Sequence, residues 1–195
     1  MVRAFIAIEL PVFIQEAIEH YIQDLSKSEF PSEIIRWIPV KNIHLTLHFS
    51  GDIHEDRIDA IQRVLKQAAE GTAVFELTIQ GLGCFPRPQK PRVIWLGVEE
   101  QREQLKHFHN TLETFLSGEN FKTEARRFHP HLTLARVKKS AKLDQISTLA
   151  HQLDLIKQPQ IGVFHAEAVH LIRSELHPQG AIYSHLASAL LSESP

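Results

Sequence analysis

His44-Leu45-Thr46-Leu47 and His131-Leu132-Thr133-Leu134 are one tetrapeptide written twice in a chain of 195 residues. Side chains alternate along a β-strand, so each copy sets its His and Thr on one face and its two Leu on the other. An imidazole titrates near neutral pH and can give or take a proton. A hydroxyl can hydrogen-bond an oxygen on which negative charge develops. Two such strands side by side would gather two proton-transfer groups and two hydroxyls around one point, with leucines packed behind. Breaking a phosphate ester needs that set: one base for the attacking hydroxyl or water, one acid for the departing oxygen, and donors for the nonbridging oxygens. A single His-x-Thr in a strand would carry little weight, because threonine and leucine are common there. The repetition carries it, and His44, His131, Thr46 and Thr133 are the expected site.

Other residues are candidates on weaker grounds. Arg136 lies five positions after His131, which on a continuous strand is the opposite face. A phosphate-binding role for it therefore requires a twist, bulge or strand end. Phe49 has the same parity relative to His44. Arg87, Lys90 and Arg92 make a small basic loop that could reach phosphates, Phe85 could stack on a base, and Trp95 is expected in the core. His48 shares strand parity with His44 and is expected at the cleft edge; His129, held by Pro130, is expected to be structural. Clustered histidines invite a metal reading, but neither tetrapeptide contains a carboxylate and threonine is a poor metal ligand. No metal and no cofactor are expected. The chain has 13 histidines, so the remaining ones are read as surface or strand-face residues.

The elements that must position this chemistry are legible from spacing. Residues 3–10 read as a buried strand, and Pro11 opens a helix (Ile14, Ile18, Ile22, Leu25) reaching about Ser28. Strands follow at 35–40 and 43–49, then a helix marked by Ile58, Ile61, Leu65 and Ala68. Alternation at Phe75, Leu77 and Ile79 marks a strand, residues 85–92 a proline-rich basic loop, and 93–97 another strand. Leu105, Phe108, Leu112 and Phe115 mark a third helix, the second tetrapeptide a strand, and Leu143, Ile146, Leu149 and Leu153 a fourth helix. Two long strands at 161–173 and 181–187, joined through a turn at His177-Pro178-Gln179-Gly180, complete the order. Strands and helices mix without regular β–α alternation, which predicts an α+β fold with antiparallel sheets. With one tetrapeptide in each half, the chain reads as a possible duplication, and no linker separates independent domains over 1–195.

Composition bounds the partners. Formal net charge is −2, with 43% hydrophobic and 23% charged residues. Such a chain has a core but lacks the broad positive field that holds long nucleic acid nonspecifically. If RNA is the ligand, a local site must bind it, and the end of an RNA strand suits such a site better than a duplex does. The single cysteine, Cys84, permits no internal disulfide and suits a reducing cytoplasm. No stretch has the apolar length of a bilayer span or the pattern of a secretory signal, so no membrane partner is expected.

Taken together, RAFIAIELP at the start, NIHLTLHFSGD at 42–52, RVIWLG at 92–97 and FHPHLTLAR at 128–136 resemble the two-histidine (2H) phosphoesterase superfamily. More closely they resemble the RNA 2′,3′-cyclic phosphodiesterase family, historically named 2′-5′ RNA ligase. Beyond about Ala141 the match is loose. The resemblance implies two pseudo-symmetric lobes, each an antiparallel sheet with outer helices, flanking a central cleft. It implies metal-free hydrolysis of an RNA 2′,3′-cyclic phosphate to a 2′-phosphomonoester. His44 would be the proton donor to the leaving 3′ oxygen and His131 the acceptor that activates water. The Leu-Ala-Arg match adds Arg136 as a substrate-binding residue. RNA with a cyclic phosphate end is the implied partner, of a monomeric cytoplasmic protein. The alternatives are 2′-5′ ligation of tRNA halves, a phosphodiesterase for small cyclic nucleotides or 2′-5′ oligonucleotides, and a non-catalytic RNA-end binder.

Overall fold

A computed structural model describes residues 1–27, 31–123, 127–178 and 180–192. Ser28, at the expected helix end, and Gln179, in the expected turn, lie outside them. The strands are β1 (Val2–Glu9), β2 (Ile35–Trp37), β3 (His44–Ile53), β4 (Phe75–Phe85), β5 (Val93–Glu99), β6 (His131–Val137), β7 (Gln160–Ala166), β8 (Ala168–His177) and β9 (Gly180–Leu190). The helices are α1 (Val12–Lys27), α2 (Ile58–Glu70), α3 (Gln104–Gly118) and α4 (Leu143–Leu155). No helix among the described residues is long and apolar enough to cross a membrane.

Among the described residues all nine strands join one sheet in the order β7-β4-β5-β6-β3-β1-β8-β9, with β2 paired to β6. Every pairing between these strands is antiparallel. The α+β class with antiparallel sheet is therefore as the sequence predicts. Four strands of this order lie on each side of the seam where β3 meets β6, and that seam is a single residue pair, Leu45 opposite Leu132. So short a ladder lets the halves splay. In an antiparallel pair centred there, the neighbours across the seam are His44 with Thr133 and Thr46 with His131.

One expectation fails at the C-terminal end. The run 161–173 is two strands, broken at Glu167. β7 pairs with β4 at one edge, whereas β8 pairs with β1 and β9 near the other. Both pieces keep apolar residues, and no Gly or Pro marks the change of partner. The Glu167 carbonyl is held by Leu191 N–H at 2.8 Å. The strand expected to end near Ile79 also runs on to Phe85, through an extra residue at the positive-φ Gly81.

The leucines of both tetrapeptides sit in the main core, none more than 4% exposed. Burying each is worth about 1.5–3 kcal/mol. Helices cover that face: α1 lies on β7, and α2 on β8 and β9. At Gly162 a Cβ would stand 2.9 Å from Ile14 Cδ1, so this glycine admits α1 close to β7. With the leucines fixed on the helix side, period-two alternation drives His44, Thr46, His131 and Thr133 to the other.

Candidate active site

The four motif residues line one cleft of about 450 Å³ on the helix-free face. The expected catalytic and hydroxyl groups are thus brought together. Each histidine is fixed in the same way. His44 Nδ1 donates to the Asn42 carbonyl at 2.9 Å, and His131 Nδ1 to the His129 carbonyl at 2.7 Å. A carbonyl can only accept, so Nδ1 carries the hydrogen in both rings and Nε2 is left as the basic nitrogen. His129 acts here through its backbone, as a structural residue should.

The ring environments differ. His44 stacks on Phe5, with centroids 4.6 Å apart, and meets the edge of Tyr183 at 5.5 Å. His131 meets Phe85 edge-on at 5.0 Å and lies 6.2 Å from Trp95. Burial among these rings disfavours the imidazolium. It pushes His44 down to about 4, against smaller upward pulls from the Asn42 carbonyl and Glu9. His131 is lowered for the same reason, opposed by the His129 carbonyl.

Trp95 is not a core residue. It pairs across the ladder with Thr133 on the cleft side, half-buried with Phe85, His129 and His131. Gly83 makes this possible, since a Cβ there would collide with the indole.

Arg136 does line the cleft, and the reason is a bulge. Ile94 pairs with Ala135 and Trp95 with Thr133, so Leu134 is an extra residue that inverts the parity after it. The first motif carries the same device. Ala7 pairs with Thr46 and Ile6 with His48, leaving Leu47 extra. Phe49 therefore turns onto the cleft face and lines it. His48 turns the other way. It is 3% exposed, with Nδ1 2.6 Å from Glu113 Oε1 on α3. The expected cleft-edge place for His48 is wrong, because unbroken alternation does not survive Leu47.

Several cleft residues carried no sequence signal. Phe5 of β1 and Tyr183 of β9 frame His44. Arg3 lies 4.9 Å from the Phe49 ring centroid. Arg36 on β2 stands directly opposite Arg136. Asn42 ties the entry of β3 to the β8–β9 hairpin through Nδ2 and the Ala181 carbonyl at 2.8 Å. Arg92 is not among the residues lining the cleft; its backbone closes the end of β5 against Phe85 and Val137.

Electrostatics select this cleft over a larger hollow. Arg3, Arg36 and Arg136 line it, and among the described residues none of its lining is Asp or Glu. The other hollow, about 730 Å³ beside α3, is lined by Glu100, Glu103 and Glu113 as well as Lys106 and Arg127, and holds neither motif. A phosphate dianion is favoured in the first and opposed in the second.

Relatives share this architecture. The family model described as the 2′-5′ RNA ligase superfamily matches residues 14–178. An RNA 2′,3′-cyclic phosphodiesterase of Methanothermobacter thermautotrophicus is 34% identical over 94% of this chain and 95% of its own. One of Thermotoga maritima is also 34% identical, over 93% and 91%. Among solved structures, TT0787 of Thermus thermophilus superposes with a TM-score of 0.79 at 25% identity, covering 99% of this chain and all of its own. Escherichia coli LigT complexed with 3′-AMP gives 0.78 at 26%, covering 98% and 99%. With both motifs, their shared strand geometry and matches of this extent, the chain belongs to the 2′-5′ RNA ligase superfamily.

Proposed function

We propose that the protein hydrolyses RNA 2′,3′-cyclic phosphate ends to 2′-phosphomonoesters, with His44 and His131 as the proton-transfer pair. The observation that carries this reading is the matched fixing of both imidazoles by carbonyls two residues upstream, which leaves two basic Nε2 atoms on a cleft whose described lining holds no carboxylate. The names of the relatives in Methanothermobacter and Thermotoga support the substrate class.

In this reaction the water oxygen attacks phosphorus while the bond from phosphorus to O3′ breaks. His131 Nε2 takes the proton from water, and His44 Nε2–H gives one to O3′. Each transfer is typically worth about 10²–10⁴-fold. Thr46, Thr133 and Arg136 stabilise the nonbridging oxygens. His44 is lowered to about 4 in the free protein, so its proton must be held by the substrate's negative charge. The cyclic diester supplies that charge, and desolvation that opposes imidazolium alone favours an imidazolium–phosphate pair. After turnover the two histidines have exchanged protonation states and reset through solvent.

No step uses a metal or cofactor. The single, half-buried Cys84 suits a reducing compartment, and a monomeric, cytoplasmic protein of one two-lobed unit completes the proposal. The test is incubation of an oligonucleotide ending in a 2′,3′-cyclic phosphate with the protein in excess chelator, the product being resolved against 2′- and 3′-phosphate standards. A 2′-phosphate is expected. A 3′-phosphate, or turnover that stops with chelator and returns with zinc, would overturn the reading.

A further inference from the structure

Two histidines outside the reacting pair sit beside a carboxylate on the cleft face of the sheet. Glu9, His170 and His185 each bring one ligand atom within 4.8 Å of the others. Three strands supply them: β1, β8 and β9. Glu9 Oε1 already lies 2.8 Å from His185 Nε2. The His170 and His185 rings stack with centroids 4.6 Å apart and 19° between planes.

The placement of His185 depends on a third bulge. His170 pairs with Ser188, and His185 lies three residues before Ser188, which on a regular strand is the opposite face. Leu171 pairs with Ala187 and Ile172 with His185, so Leu186 is extra and His185 swings back beside His170. The bulge is braced by Gln62 of α2, whose Nε2 donates to the Leu186 carbonyl at 3.2 Å. His170 is oriented as well: its Nδ1 lies 2.8 Å from Ser188 Oγ, leaving Nε2 as the other ring nitrogen. An outer partner on one ring nitrogen is how metal-binding histidines are commonly aimed.

From this arrangement we infer that Glu9, His170 and His185 form a binding site for one divalent transition-metal ion of the zinc class. Two imidazoles and one carboxylate suit Zn²⁺, Ni²⁺ or Cu²⁺ and disfavour Mg²⁺ and Ca²⁺, which take all-oxygen sets. Ligand bonds of about 2.0–2.2 Å need only a modest contraction of the present spacing. Glu9 pairs with His44 in the β1–β3 ladder, so a bound ion would lie next to the catalytic strand without using either motif.

The test is calorimetric titration of the full chain with ZnCl₂ near neutral pH in a non-coordinating buffer. One saturable equivalent is expected. His170→Ala and His185→Ala should each weaken it by at least about tenfold, because even outer partners of metal ligands carry that much. Ser188→Ala should weaken it less than either, and a His44→Ala/His131→Ala double variant should keep it. MgCl₂ should give no saturable heat. Absence of saturable zinc binding overturns the inference. So does binding that survives loss of His170 and His185, or that disappears with His44 and His131.

Discussion

Arg36 and Arg136 stand directly opposite each other on adjacent antiparallel strands, both lining the cleft that holds the two motif histidines. Like charges across a ladder repel and destabilise the pair. With no carboxylate among the described residues lining the same cleft, the facing pair is expected to hold an anion between them. Arg36→Ala or Arg136→Ala should leave the ligand-free protein as stable as the parent or slightly more so. The same variants should lose most of the stabilisation that inorganic phosphate or an RNA cyclic end confers in thermal melts.

Arg136 is also expected to act in catalysis. A hydrogen bond from a charged donor contributes about 1.5–3 kcal/mol, so Arg136→Ala should lower kcat/KM by roughly tenfold to a hundredfold. Arg136→Lys should recover part of this. Steady-state kinetics at two ionic strengths would check it, and the Ala variant should show the weaker salt dependence.

The pH dependence follows from the burial of both imidazoles. Their lowered values make the one-proton form of the pair scarce in the free protein above pH about 6.5. The value of kcat/KM should therefore already be falling with rising pH below that point. Bound phosphate holds the proton, so kcat should persist to higher pH. This titration belongs to the pair rather than to either residue alone. A kcat/KM that rises through the alkaline range would contradict the assignment.

Stability has the same origin and a definite sign. The folded state disfavours protonated His44, so the unfolded chain takes up that proton first as pH falls. The stability linked to His44 is whole above its unfolded value of 6.5 and is lost on descending towards the folded value of about 4. Urea midpoints should drop over this window, and His44→Gln should flatten the drop.

His48 belongs to the scaffold. Its contact with Glu113 pins β3 to α3 on the core side, and breaking a hydrogen bond to a carboxylate costs about 1.5–3 kcal/mol. His48→Ala should lower urea-denaturation stability by about that amount. Its kcat, per folded molecule, should stay within a few-fold of the parent.

Much of this site is legible in the sequence, and the failures over Arg136, Phe49 and His48 share one cause. The tetrapeptides encode their own faces, because Leu45, Leu47, Leu132 and Leu134 must be buried and the residues between them then cannot be. Parity arguments fail just beyond each copy, where Leu47 and Leu134 are extra residues. In the second copy the adjacent apolar Leu134 and Ala135 hint at the bulge; in the first, polar His48 hides it. The break at Glu167 is equally silent, since a strand that changes partners keeps its composition. Phe5, Arg36 and Tyr183 reach the cleft only through sheet order, which local spacing does not contain.

The division of labour between His44 and His131 is best separated with a cyclic substrate whose leaving 3′ oxygen is replaced by sulfur, a leaving group that departs without a proton. Loss of His44 should then matter little: His44→Ala, nearly inactive on the oxygen substrate, should regain turnover on the sulfur one. His131→Ala, lacking the base for water, should stay inactive on both. Rescue of His131→Ala instead of His44→Ala would reverse the two roles.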